Sequence, residues 1–268
     1  MKKRNAYALV TGGTSGIGYQ LAKLLAQDGY DLVIVARNEP ELNSVSSEIK
    51  NSYGVEVITI AKDLFERNNA FDLYHDVKAR GIDIEILVNN AGHGHYGEFV
   101  DTDLSMELKI VDLNVASLVV LTKLFLKDMV ARRSGRILNL SSIASKAPGP
   151  WQSVYHGTKA FVQSFTEAVR NEVKDSGVTL TALLPGATDT DFFRKAGMEE
   201  SKIYQEGKLY DAADVAKDGY EALMKGEDMV VSGFMNKVQV AMSSVTSDEK
   251  LAEKMNKQQE PVTSEKKE

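Results

Sequence analysis

The chain predicts an α/β fold: a doubly wound parallel sheet of seven strands with helices on both faces, in a single domain. Two observations carry this. Short runs of apolar, β-branched residues alternate with helix-period segments along 268 residues, and fully apolar strands are those buried on both faces. The first strand also runs straight into a glycine turn that opens a helix, Thr11-Gly-Gly-Thr-Ser-Gly-Ile-Gly18.

In order, residues 6–10 read as a buried strand, 16–27 as a helix leaving the glycine turn, and 31–36 as a second apolar strand. Helix 39–51 follows, with Glu39 as a first-turn charge, then strand 55–61, helix 67–80 and strand 84–89. A long helical stretch, about 105–133, carries Leu113, Leu118, Leu121, Leu124 and Leu126 and contains one break near 111–114. Strand 136–140, helix 153–175, strand 179–184, helix 212–225 and strand 229–232 complete the body. Strands separated by helices imply right-handed crossovers. No linker or composition shift divides residues 1–242, so they form one domain. Residues 243–268 are expected to be a polar, partly disordered extension, with 258–268 a solvated tail.

At 43% hydrophobic and 26% charged the chain is an ordinary globular protein. Its net charge of −6 argues against a nucleic-acid partner, because no basic stripe exists to neutralise phosphates. Zero cysteines exclude disulfides, iron–sulfur ligation and thiol catalysis. The basic start Met1-Lys-Lys-Arg-Asn5 is followed by an apolar run that stops at Val10, too short for the core of a signal peptide. No segment approaches the roughly 20 apolar residues needed to span a bilayer. A cytoplasmic location is therefore expected. His93 and His95 lack a third ligand beyond Glu98, so no metal site is expected.

A glycine turn between strand and helix suits a dinucleotide pyrophosphate. Gly12 permits the tight turn, Gly16 the close backbone approach, and Gly18 close packing of helix on sheet; the helix N-terminus offers N–H groups and positive dipole. The second strand ends Val35-Ala36-Arg37-Asn38, with no carboxylate at its tip. A carboxylate there would hold the ribose 2′-hydroxyl of NAD(H), whereas the Arg37 guanidinium suits the 2′-phosphate, so NADP(H) is favoured over NAD(H). Asp63, after the third strand, could hydrogen-bond an adenine edge, cap the following helix, or do both.

Tyr155 and Lys159 stand four residues apart, on one face of a helix. A phenol releases its proton only near a pKa of about 10, and a nearby ammonium favours the phenolate, giving an acid/base pair closer to physiological pH. Ser141-Ser142 ends a strand just before this helix.

These motifs, together with Asp63, Asn89-Asn-Ala-Gly92, Asn114 and Pro185-Gly186, resemble the short-chain dehydrogenase/reductase family over about residues 5–235. Within it the chain is most similar to bacterial members related to 3-ketoacyl and hydroxysteroid reductases. The resemblance implies a Rossmann fold and an oxidoreductase acting on a carbonyl or secondary alcohol. Tyr155 would be the general acid, Lys159 would lower its pKa and bind the nicotinamide ribose, and Ser142 would polarise the carbonyl oxygen. Ser141 fits that role less well, since side chains alternate faces in an extended chain. Asn114 would anchor a water relaying protons to Lys159. Thr14, Ser15, Ile17, Leu64, Asn90, Ala91 and Gly92 join the cofactor site, as do Pro185, Gly186, Thr188 and Thr190 around the nicotinamide. The rival reading is a cofactor-binding sensor or scaffold without turnover, against which the intact Ser142, Tyr155, Lys159 and Asn114 argue.

Substrate choice is expected to lie in about 187–210, with Phe192, Phe193, Met198, Ile203 and Tyr204, beside Trp151. This lining favours an apolar or acyl-type small molecule. His93 could face the site, while His156 should point away from the face of Tyr155. Val119, Leu126, Phe161, Phe165 and Val169 exceed what one sheet face absorbs, so a homodimer or homotetramer is expected.

Overall fold

Seven strands form one parallel sheet in the order β3-β2-β1-β4-β5-β6-β7 in the computed structural model, which describes Arg4 and residues 6–262. The strands are β1 (Tyr7–Thr11), β2 (Asp31–Ala36), β3 (Val57–Ala61), β4 (Ile84–Asn89), β5 (Gly135–Leu140), β6 (Val178–Leu184) and β7 (Met229–Val231). Each of the seven falls where the apolar runs predict it.

Alternation along the strands builds two cores. Ala8, Val10, Leu32 and Ile34 face α1 (Gly16–Gln27), α2 (Glu39–Tyr53) and α9 (Ala212–Lys225), where Leu21, Leu25, Leu42, Ile49, Val215 and Leu223 cover them. Leu9, Val33 and Val35 face the other way, onto α3 (Arg67–Ala79) and α5 (Leu118–Arg132), through Leu73, Val77, Leu121, Phe125 and Met129. Both faces being buried explains why these strands read as continuous apolar runs. Local signals set the helix ends: Asn38 caps α2 by accepting from the Glu41 N–H at 3.2 Å, and Gly54, at φ 67°, stops it.

The break expected near 111–114 is a π-helical segment, Asp112–Ser117, between α4 (Leu104–Val111) and α5. It buries Asn114, which accepts from the His93 N–H at 3.0 Å and donates to the His93 carbonyl at 2.9 Å and the Thr158 hydroxyl at 3.0 Å. A buried amide needs such partners, and the widened turn is where this helix turns one toward them.

Below the sheet's carboxyl edge runs a buried polar chain. Asn89 donates to the Thr122 hydroxyl and to the Asn139 carbonyl oxygen, and Asn139 donates to the Thr166 hydroxyl. It ties β4 and β5 to α5 and to α6 (Ser153–Glu172).

The C-terminal expectation needs correction. Residues 243–262 do not trail into solvent: α10 (Phe234–Ser243) is followed by α11 (Asp248–Gln259), whose Leu251, Met255 and Gln259 are buried on one face. Spacing of four residues between these positions makes a helical stripe, short enough to be hidden in a polar composition. Of the expected solvated tail, 258–262 is docked on the body and 263–268 lies outside the described residues. Two short helices, α7 (Phe192–Ala196) and α8 (Lys202–Gln205), stand in the segment after β6. Among the described residues no helix is long and apolar enough to cross a membrane.

Candidate active site

The strand order reverses between β1 and β4, and the crevice this leaves at their carboxyl ends opens into a cavity of about 730 Å³. The glycine turn forms its floor. Gly12 and Gly16 take φ of 64° and 54°, the left-handed region open to glycine. Asn90 braces the turn, its amide donating to the carbonyls of Thr11 and Gly12 at 3.0 Å each. The Thr11 hydroxyl in turn accepts from the N–H groups of Asn90 and Ala91. A Cβ on Gly18 would lie 2.3 Å from the Asn90 amide nitrogen, so only glycine lets α1 start this close.

These residues fit a dinucleotide. No side chain caps α1 and its first turn holds no acid, so its first N–H groups stay free for an anion. Thr14, Ser15, Gly16 and Ile17 line the cavity at that point, and Asn90, Ala91 and Gly92 line the opposite side.

At the far end stand Arg37, Asp63, Leu64 and Phe65, with the Arg37 guanidinium 5.2 Å from the centre of the Phe65 ring. Glu39 opens α2, and Glu41, which lines the cavity, is hydrogen-bonded to the Asn38 amide. Asp63 does not cap α3, whose N-cap residue is Glu66; its carboxylate accepts from the Phe65 N–H at 3.1 Å and holds its own turn. His93 lines the same cavity as Tyr155. Its ring packs edge-on against Phe65, and burial, then Arg37, pushes its pKa down to about 4, so it is neutral.

Ser142, Tyr155 and Lys159 meet on the cavity's inner wall. The Ser142 hydroxyl accepts from the Ala144 N–H, whereas the Ser141 hydroxyl is buried and donates to the Lys159 carbonyl, tying β5 to α6. Lys159 donates from Nζ to the Leu140 carbonyl at 2.8 Å and stands 5.7 Å from the centre of the Tyr155 ring. A Cβ on Gly92 would lie 3.4 Å from both Lys159 Nζ and Asn114 Oδ1, so the two polar atoms face one small gap.

The electrostatics differ from expectation. Burial pushes the Tyr155 phenol up to about 12, with the Ser142 hydroxyl acting the other way. Burial also pushes Lys159 down to about 8. Low dielectric disfavours the charged form of each group, and Lys159 Nζ is directed at a backbone carbonyl. At neutral pH the phenol keeps its proton.

Beyond Tyr155 lie Pro185, Gly186, Thr188 and Thr190. The Thr188 hydroxyl donates to the Gly186 carbonyl, and Thr190 packs so close to the glycine turn that a Cβ on Gly16 would lie 2.9 Å from its methyl group. Phe192 rests on Tyr155 with ring centres 5.1 Å apart, and Phe193, Met198 and Ile203 extend the apolar lining. His156, expected to point away from this face, lines the cavity as well: its ring centre lies 6.1 Å from that of Tyr155, and the ring bonds to the Ala147 carbonyl at 2.8 Å. Sequence reasoning missed Asn236 and Gln239 of α10 and Met255 and Gln259 of α11, which also line the cavity. The four-residue spacing of Leu251, Met255 and Gln259 is the signal that could have found the last two.

A family model described as short chain dehydrogenase matches residues 6–201. Among curated relatives, the very-long-chain 3-oxoacyl-CoA reductase of Mus musculus is 37% identical over 186 residues, covering 67% of this chain and 58% of that protein. Its Bos taurus counterpart is 40% identical over 185 residues, with the same coverage of 67% and 58%. The matched region thus spans 58% of the length of each relative. A solved short-chain dehydrogenase from Sphingobium yanoikuyae in complex with NADPH aligns over 91% of this chain and 96% of its own, at 26% identity and a TM-score of 0.80. A 7beta-hydroxysteroid dehydrogenase structure aligns over 94% of this chain and 96% of its own, at a TM-score of 0.83; at 23% identity it bears on the fold alone.

Lys159 has an observable signature. Its folded pKa of about 8 lies below its ordinary 10.5, so between those values the unfolded chain binds a proton that the folded chain does not, and stability rises with pH. Urea unfolding of wild type and Lys159→Met at about pH 7 and about pH 10 should show the wild-type value gaining on the variant's as pH rises. An unchanged difference would mean that Lys159 is solvated in the folded protein.

Proposed function

Because the chain belongs to the short-chain dehydrogenase family, we propose that it is an oxidoreductase that moves a hydride between NADP(H) and a carbonyl or secondary alcohol of an apolar or acyl-type small molecule. The observation that carries this reading is the meeting of Ser142, Tyr155 and Lys159 on the wall of the same cavity whose floor is the uncapped α1 N-terminus.

In carbonyl reduction, a bound NADPH would supply the hydride that reaches the carbonyl carbon. Tyr155, fully protonated at neutral pH, gives its proton to the carbonyl oxygen as negative charge develops there. Ser142 donates a hydrogen bond to that oxygen and stabilises the same charge. Lys159 faces the phenolate left behind, and with Asn114 it flanks the position over Gly92 from which a water would return a proton. The free N–H groups of Gly16, Ile17 and Gly18 hold the pyrophosphate, with Thr14 and Ser15 beside it. Asp63 and Leu64 flank the adenine end, Asn90, Ala91 and Gly92 the ribose, and Pro185, Gly186, Thr188 and Thr190 the nicotinamide. Arg37 takes the 2′-phosphate, supported by the absence of a carboxylate at the tip of β2.

The substrate class follows from the apolar lining and from the name of the relatives, 3-oxoacyl-CoA reductases. A homodimer or homotetramer through α4, α5 and α6 belongs to the same proposal. Leu126 and Val169 are absorbed by the protomer's own core, but Leu104, Leu108 and Phe161 stay exposed. A cytoplasmic location is part of it too, resting on the absence of cysteine.

NADPH oxidation with 3-oxoacyl thioesters and 2-alkanones tests the reaction. Tyr155→Phe should lower kcat by roughly 10²–10⁴-fold while leaving NADPH binding intact. Tight NADPH binding with no turnover of any probe would make the protein a sensor instead. Arg37→Asp should raise the KM for NADPH roughly tenfold or more while sparing NADH, as loss of a charge-assisted contact requires; an unaltered preference places the phosphate elsewhere. Light scattering of Phe161→Glu should give a monomer where wild type gives a dimer or tetramer, and a mass unaffected by the change removes α6 from the interface.

A further inference from the structure

The described end of the chain lies outside the residues matched by the family model, yet it reaches the reacting centre. Side-chain and backbone contacts seat it. The Tyr96 hydroxyl donates to the Gln259 carbonyl, and the Trp151 indole N–H donates to the Asn256 side chain at 2.8 Å. Lys202 pairs with Glu260 at 2.6 Å, the Val262 N–H donates to the Glu200 carbonyl, and Ser201 bridges Pro261. Met255 and Gln259, both buried, then line the same cavity as Phe192, Met198 and Ile203.

Gln259 also fixes the residue next to Tyr155. The Ala147 carbonyl can only accept, so His156 Nδ1 carries the proton and Nε2 is left as the acceptor. The Gln259 amide nitrogen, 3.0 Å from Nε2, donates to it. Gly149 packs against the same ring so closely that a Cβ there would lie 2.2 Å from it. The first turn of α6, which carries Tyr155, is thus clamped from the C-terminal segment. Trp151, at the entry to that turn, holds a left-handed φ of 69°, a conformation a bulky residue keeps only when its surroundings enforce it. Its stacking on Tyr96 and its bond to Asn256 supply that enforcement.

We propose that the segment 248–262 is the outer wall of the substrate site, with Met255 setting the length of substrate that fits and Gln259 acting as a positioning residue for His156 and the first turn of α6. The proposal rests on the carbonyl-reductase reading. It separates from a purely structural role for the segment because the two side chains act on different quantities. Shortening Met255 enlarges the cavity without touching the clamp. Removing the Gln259 amide releases the clamp while the cofactor contacts stay in place.

The test compares wild type, Met255→Ala, Met255→Leu and Gln259→Ala on 2-pentanone and 2-undecanone with NADPH. Met255→Ala should raise kcat/KM for the long ketone relative to the short one by about tenfold, and Met255→Leu should restore the wild-type ratio. Gln259→Ala should lower kcat with the KM for NADPH unchanged. It should also shift the emission of Trp151, the only tryptophan of the chain, to the red as the segment loosens. An unaltered chain-length ratio in Met255→Ala overturns the wall, and unaltered kcat and emission in Gln259→Ala overturn the clamp. If wild type reduces neither ketone, the reductase reading fails by itself. The wall is then read from the affinities of 2-pentanol and 2-undecanol followed by Trp151 emission: Met255→Ala must alter their ratio, and an equal ratio in both proteins refutes it.

Discussion

The brace between Asn90 and the glycine turn is the constraint on which the site depends. A parallel sheet that reverses its order between two neighbouring strands leaves a crevice there, and β1 and β4 must be held in register for the crevice to keep a defined shape. Thr11 and Asn90 do this at the carboxyl ends of the two strands, with a hydroxyl accepting two N–H groups and an amide donating to two carbonyls. Backbone groups of a tight turn would otherwise stand unpaired at the rim, where burial makes each one costly. The same amide leaves no room for a side chain at Gly12 or Gly18. One side chain therefore dictates both the composition of the turn and the approach of the helix that follows.

A second layer of polar contacts carries the position of β4 to α6. Asn89 and Asn139 link neighbouring strands and reach Thr122 and Thr166, while Ser141 fastens β5 to the backbone of Lys159. The chain is buried and nearly satisfied, with the Asn89 side-chain oxygen Oδ1 its one unpaired atom among the described residues. Networks of this kind specify geometry more than they add stability. Here they hold the phenol in a medium where it does not ionise readily, which keeps the proton on Tyr155 at neutral pH.

Much of this was legible in the residues. All seven strands were, because burial on both faces leaves an unbroken apolar signal, and so was the break at Asn114, because a polar residue interrupts a leucine-rich helix. The glycine turn, Ser142, Tyr155 and Lys159 were found from local spacing, and they do share one cavity. What was hidden depends on contacts between distant parts of the chain. Burial of Lys159 and Tyr155 is set by the whole fold, so the direction of the tyrosine shift could not be read from a four-residue spacing. The role of Asn90 as a brace requires knowing that β4 lies beside β1. The C-terminal helix escaped because only three of its twelve residues are buried, and a polar average conceals so narrow a stripe.

The π-helical segment has an inheritance of its own. A π turn holds about one residue more than an α-helical turn, so the helix leaving it is rotated by roughly 100° relative to an uninterrupted one. Residues Asp112–Ser117 thus act as a phase shifter between α4 and α5. Deleting a single residue there would straighten the rod, swing Asn114 off the gap it shares with Lys159, and turn the exposed Leu104 and Leu108 away from their present direction. The catalytic face and the outer apolar face are coupled in phase, and a lineage of this protein can change one by insertion or deletion only by resetting the other.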